Sequence, residues 1–195
     1  MPRRPDPGLE ERILQAAQRL WKKGGEEALT LRAVAKAAGT NTPAVYRRFQ
    51  DRREMLRVLV QRLQQDLSML LGPCKTPEEA CEAYLDYALS RPREYELIYA
   101  HLYQLPHPRS GRRSDMREYR PVFAVMGAKL AERLGGSPED HTRLSMALWA
   151  LTHGAAMIFI SKAVPEEHTA ELHSVFRTAV ATLMRNEPSV AKHDS

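Results

Sequence analysis

The residues best equipped for chemistry are cationic, and they lie at one end of the chain. Residues 1–60 hold 13 Lys and Arg against 7 Asp and Glu, net +6, whereas residues 61–195 hold 16 against 17, net −1. A basic third on a nearly neutral body is the electrostatic footprint of a small nucleic-acid module carried by something larger. A solvated basic face fits the charge alone equally well. Other chemistries find no footing. The two cysteines, Cys74 and Cys81, match no zinc spacing or redox motif and are expected to be inert thiols in a reducing cytosol. None of the seven histidines sits in a zinc-binding pattern, and no glycine-rich phosphate loop, nucleophile elbow or dinucleotide fingerprint occurs. No metal, cofactor or catalytic residue is therefore expected.

The elements that must position these charges are helical. Glycine and proline punctuate a chain whose apolar residues otherwise repeat at helical spacing, with no alternating strand run, so the fold class is all-α with about nine helices. Leu9, Ile13, Ala16, Ala17 and Leu20 form the apolar side of a first helix that Gly24-Gly25 ends. Thr30 caps a short second helix over residues 31–38, and Asn41 or Thr42 caps a third with Pro43 in its first turn, ending near Phe49. Asp51 caps a longer fourth helix with the stripe Met55, Leu56, Leu59, Val60, Leu63, Leu67 and Leu70, stopped by Gly72-Pro73. Thr76-Pro77-Glu78-Glu79 is a capping box that opens a helix to Ser90. Further helices are expected over about 93–103, 114–134, 138–163 and 165–185.

Two short helices joined by a tight turn at Gly39, in the most basic part of the chain, meet the physical specification of a helix-turn-helix. Val34, Val45 and Phe49 are read as its core. The segments Leu29-Thr30-Leu31-Arg32-Ala33-Val34-Ala35 and Ala38-Gly39-Thr40-Asn41-Thr42-Pro43-Ala44-Val45-Tyr46-Arg47-Arg48-Phe49, continued by Asp51-Arg52-Arg53-Glu54-Met55-Leu56, resemble the DNA-binding signature of the TetR family. The resemblance covers about residues 9–57. It implies that Arg32 reaches a base, that Thr42, Pro43, Ala44 and Arg47 face the major groove, and that Tyr46, Arg48 and Arg52 contact phosphates. Two positions depart from the commonest pattern: Thr40 stands where an aliphatic residue usually packs in the turn, and Arg48 where histidine is frequent.

Residues 144–160 are apolar nearly all round, which requires cover on both sides. A second copy can supply one side, and Leu172, Val175, Phe176, Ala179, Val180 and Leu183, with Ala155, are the expected homodimer interface. Trp149-Ala150-Leu151-Thr152-His153-Gly154-Ala155 also resembles a segment of some TetR-family regulators whose last two helices pair across a two-fold axis. Tyr84, Tyr99, Tyr103, Tyr119, Phe123, Met126, Trp149 and His153 are candidates to enclose a largely apolar small-molecule effector, as the family implies, although an ordinary core accounts for each of them singly. Arg109, Arg112, Arg113, Arg117 and Arg120 cluster nearby, as an anionic head-group site or as a solvated face.

The resemblance thus implies a DNA-binding head over 1–50, a ligand-binding and dimerisation body over 51–186 and a frayed tail over 187–195. The expected activity is that of a cytoplasmic repressor released from double-stranded operator DNA by a small molecule. An activator or effector-independent regulator is the alternative within DNA binding, and a small all-α enzyme or lipid carrier the alternative outside it. The N-terminus Met1-Pro2-Arg3-Arg4-Pro5 lacks the apolar core of a signal peptide, and the 144–160 stretch is shorter than the ~20 residues needed to cross a bilayer, so no membrane role is expected.

Overall fold

A computed structural model describes residues 6–101 and 121–186. Within them the chain is helical without strands: α1 (Leu9–Ala28), α2 (Leu31–Ala37), α3 (Thr42–Tyr46), α4 (Arg52–Leu71), α5 (Pro77–Ser90), α6 (Pro92–His101), α7 (Pro121–Leu134), α8 (Thr142–Ile160) and α9 (Thr169–Asn186), the last preceded by a 3₁₀ turn over Glu166–His168. It divides into two compact units. The first comprises residues 6–63 and 93–101, and the second residues 64–92 and 121–186. The boundary expected at residue 50 therefore falls just before a helix whose first three turns belong with the head.

Local side-chain chemistry sets the helix starts in the first unit. Thr30 Oγ1 accepts from the Ala33 amide at 3.1 Å, and Asn41 Oδ1 accepts from the Ala44 amide at 2.9 Å, so Asn41 rather than Thr42 is the cap of α3. Asp51 Oδ1 accepts from the Glu54 amide at 2.7 Å, while the Glu54 carboxylate returns to the Gln50 amide. Gly24-Gly25 does break the backbone: Gly25 has φ +61°, and helical hydrogen bonding resumes beyond it to Ala28. Gly39 sits at φ +66° with open space where a Cβ would point, so the turn needs glycine for its backbone angle and not for room. Thr40 is accommodated there, its amide closing the end of α2 on the Ala35 carbonyl at 2.9 Å.

The head core is Ile13, Ala16, Ala17, Val34, Val45, Phe49, Met55 and Leu59, all buried. α6 joins it through α1. Trp21 Nε1 donates to the Arg93 carbonyl at 2.7 Å, Arg93 donates to the Lys22 carbonyl at 2.7 Å, and buried Glu94 pairs with Lys22 at 3.0 Å and accepts from Gln18.

In the second unit α8 packs against α5, α7 and α9. The Thr76 cap of α5 forms as expected, with the Glu79 amide donating to Thr76 Oγ1 at 3.1 Å. The buried Lys129 ammonium of α7 donates to the carbonyls of Gly72, at 2.9 Å, and Cys74, satisfying backbone acceptors just past the end of α4. Two expectations shift. Leu70 is exposed and Leu71 takes the buried position, completing the run Leu63, Leu67, Leu71 at four-residue spacing. Asp140 is spent on a local turn, accepting from the Ser137 amide at 2.8 Å and its hydroxyl at 2.9 Å, so α8 starts only at Thr142.

Candidate DNA-binding surface and ligand cavity

An open groove of about 600 Å³ on the first unit is lined by Glu26 and Glu27 at the end of α1, Leu29 and Thr30 of the connection, Leu31 and Arg32 of α2, Thr42 and Tyr46 of α3, and Arg52 of α4. Four of the eight expected DNA-contact residues thus meet at one place. Pro43, Arg47 and Arg48 are exposed on or just after α3, and Tyr46 leaves 55% of its surface open. Sequence reasoning missed Thr30 and Leu31 as groove residues, since their visible signal was helix capping and packing.

Hydrogen bonding separates the guanidinium groups of the head. Among the described residues, Arg32 and Arg47 are exposed and no side-chain hydrogen bond or ion pair of either is found. Such groups can offer their whole donor fork to an incoming acceptor. Arg48 instead donates to the Asp6 carbonyl at 3.1 Å. Asp6 pairs with Arg12 at 2.5 Å, and that hydrogen bond is the main reason its carboxyl is held below the usual carboxylate range.

Two residues take structural roles that the family signature does not imply. Ala44 is 5% exposed and packs inward beside Val45, so it contributes to the head core and not to a groove-facing surface. Arg52 is half-buried, its Nε donating to the Leu29 carbonyl at 2.7 Å and its other nitrogen to the Glu26 carbonyl at 3.0 Å and carboxylate at 3.2 Å. It ties the start of α4 to the segment between α1 and α2, whatever phosphate contact it also makes. Arg52→Ala is therefore expected to destabilise the head by about 1 to 2 kcal/mol, because it strips two backbone acceptors of a charged donor. Thermal unfolding would measure this, and an unchanged midpoint with weakened DNA binding would return Arg52 to a pure phosphate role.

The second unit holds a small cavity of about 20 Å³ bounded by Tyr84, Cys81, Val122, Phe123, Met126, Ser145, Leu148, Trp149 and Thr152. Tyr84, Phe123, Met126 and Trp149 among the expected ligand residues line it. His153 stacks on Trp149 with ring centroids 5.4 Å apart, just behind that wall, and burial lowers its pKa. Tyr99 belongs to the first unit, where its ring packs on Tyr95 at 4.6 Å. Tyr103, Tyr119 and the arginines at 109, 112, 113, 117 and 120 lie outside the described residues, as does the tail over 187–195.

Cys81 gives the cavity a pH signature. Burial pushes its thiol up to about 12, so the unfolded chain loses this proton first as pH rises. The folded state then binds the extra proton, and stability falls with rising pH at on the order of 1 kcal/mol per unit between about pH 9 and 12. Wild type should lose that much more than Cys81→Ala over this window, as read by denaturant unfolding; parallel curves for the two proteins would contradict the burial argument.

The last two helices do not present all the expected interface residues outward. Phe176 and Val180 form, with Met184, the stripe of α9 buried within its own chain, and Ala155 is buried likewise. The outward apolar face of α9 is instead Val175, Ala179 and Leu183, which with Leu151, Ser174, Thr178 and Thr182 line an open groove of about 560 Å³. Leu172 is half-buried one turn earlier. α8 continues this surface through Met146, Ala150, Met157 and Ile158, all exposed, and a Cβ added to Gly154 among them would meet nothing. Among the described residues α8 is also the one helix long and apolar enough to cross a membrane, and no group of metal-binding side chains occurs.

Comparison with known proteins agrees over both units. Residues 13–59 match the family model described as bacterial regulatory proteins, tetR family, and residues 78–183 match the tetracyclin repressor-like C-terminal domain. No curated protein matches. Solved structures share the fold at low identity. A transcriptional regulator from Rhodococcus sp. RHA1 is 22% identical, with 93% of this chain and 99% of that one covered and a TM-score of 0.65. The multidrug binding protein EbrR complexed with imidazole is 20% identical, with coverage of 97% and 96% and a TM-score of 0.66. A TetR variant from Acinetobacter baumannii AYE in complex with minocycline is 18% identical, with coverage of 93% and 96% and a TM-score of 0.62.

Proposed function

Because this chain belongs to the TetR family of bacterial regulatory proteins, we propose that it is a ligand-responsive repressor that binds operator DNA as a homodimer and leaves it when a small molecule occupies the second unit. The observation that carries the DNA half of this reading is the pair of uncommitted guanidiniums, Arg32 and Arg47, on the helix-turn-helix beside exposed Tyr46. A fork with all its donors available can grip guanine O6 and N7 in the major groove, while Tyr46 and Arg48 fix register on phosphates. The activity is placed in the cytoplasm, where the operator is.

The dimer half rests on the outward apolar faces of α8 and α9. A single chain leaves them in water; a second copy covers them and carries its own recognition helix. Two-fold symmetry then asks for a near-palindromic operator whose half-sites lie about 34 to 36 Å, or a multiple, apart.

The ligand half rests on the cavity and on linkage. A ligand that favours one state of the protein must alter operator affinity, and the operator must alter ligand affinity by the same factor, typically about 5- to 150-fold. The test is selection from random duplexes followed by titration of candidate effectors with and without the selected DNA. A near-palindromic site with steep salt dependence is expected. Binding that ignores sequence would sink the regulator reading, and equal ligand affinity in both states would exclude that compound as the inducer.

A further inference from the structure

The hydroxyl of Ser145 faces an unusual situation. Ser145 is 3% exposed, it lines the α5–α7–α8 cavity, and its Oγ has no hydrogen-bond partner among the described residues. A serine within a helix ordinarily returns its hydroxyl to a carbonyl one turn back. Thr152, two turns along the same wall, does so, donating to Leu148 O at 2.8 Å, and the Cys81 thiol pairs with Thr152. Ser145 does not, and an orphaned buried hydroxyl is destabilising unless something else supplies its bond.

The rest of the wall decides what that something is. Phe123, Met126, Leu148, Trp149 and Tyr84 line the cavity with Ser145, and among the described residues no Asp, Glu, Lys, Arg or His does so. The Cys81 thiol is pushed up to about 12 and stays neutral. An ionised ligand would leave water without a counter-charge to meet it. A single water fits the volume of about 20 Å³, but held waters make two to four hydrogen bonds, and among the described residues one orphan group waits here. An organic ligand needs more room. The half-buried Val122 and Phe123 on the first turn of α7 are the side chains such a ligand would displace, Phe123 resting on Trp149 at a centroid distance of 5.7 Å.

We propose that Ser145 is the polar anchor of the effector site and that the effector is an uncharged, largely apolar small molecule carrying one hydrogen-bonding oxygen. This rests on the ligand-binding reading above and narrows it to neutral compounds.

The test is calorimetric titration of the full-length protein and its Ser145→Ala variant with three probes of one ring size: phenol, benzene and benzoate. Wild type should bind phenol about 3- to 10-fold more tightly than benzene, the range of one neutral hydrogen bond, and benzoate more weakly than either. Ser145→Ala should bring phenol and benzene to within twofold of each other while unfolding at the same temperature or higher, since it removes an unsatisfied group. A phenol advantage that survives Ser145→Ala, or benzoate binding tightest, overturns the assignment. Benzene binding with no phenol preference in wild type overturns it too and leaves the pocket reading standing. If none of the three binds, the pocket reading itself fails and takes the anchor with it.

Discussion

The double substitution Val175→Glu, Leu183→Glu is expected to turn a dimer into a folded monomer and to lower operator affinity by roughly 10³-fold or more, toward the non-specific level. Val175 is 57% exposed and Leu183 half-buried in the isolated chain, so carboxylates there remain solvated in the monomer and the fold survives. Between two copies the same carboxylates would be buried near their own symmetry mates, where desolvation and like-charge repulsion both oppose assembly. The loss on DNA follows from geometry. A monomer holds one half-site at a time, and the second recognition helix no longer binds as part of the same molecule. Sedimentation at micromolar concentration reads the first effect and operator titration the second. A wild-type monomer, or a variant that stays dimeric with full operator binding, would remove the α8–α9 face from the argument.

The second large effect comes from Arg32 and Arg47. Each is exposed and has no side-chain partner among the described residues, so replacing it with alanine should leave the head as stable as before. A bidentate arginine–guanine contact is worth about 1 to 3 kcal/mol, and a dimer loses it at both half-sites, for about 2 to 6 kcal/mol per operator. That corresponds to roughly 30- to 10⁴-fold weaker binding, concentrated at the base pair each arginine reads. Random-sequence DNA should be affected far less. Removing Tyr46 or Arg48 should instead weaken operator and random DNA alike. Operator variants scanned base by base against each mutant would show the distinction. If Arg32→Ala and Arg47→Ala weakened all sequences equally, both would be phosphate contacts, and specificity would have to come from Thr42, Pro43 or DNA shape.

Much of this was legible in the order of residues because it is local physics. A capping side chain acts three residues away, so Thr30, the pair Asn41 and Thr42, Asp51 and Thr76 announced where α2, α3, α4 and α5 begin, the structure choosing Asn41 within the pair. Gly39 announced the turn by its backbone freedom, and the charge of the head is a matter of counting. The TetR signature added roles to particular positions, and the helix-turn-helix core of Val34, Val45 and Phe49 is buried as read.

Other features depend on which surfaces meet, and periodicity does not say that. An apolar stripe on α9 shows that one side is buried, but two neighbouring stripes compete. Only packing assigns Phe176 and Val180 to the chain's own core and leaves Val175, Ala179 and Leu183 outside. Ala44 moved inward for the same reason. A long-range hydrogen bond is still less visible: the span of 23 residues between Arg52 and Leu29 leaves no mark in the sequence, yet it decides whether that guanidinium is committed to the fold or free for DNA. The orphaned hydroxyl of Ser145 belongs with these cases. A serine in the middle of an apolar helix reads as an incidental small residue until three helices close around it, and satisfaction of a hydrogen bond is a property of the enclosure and not of the residue.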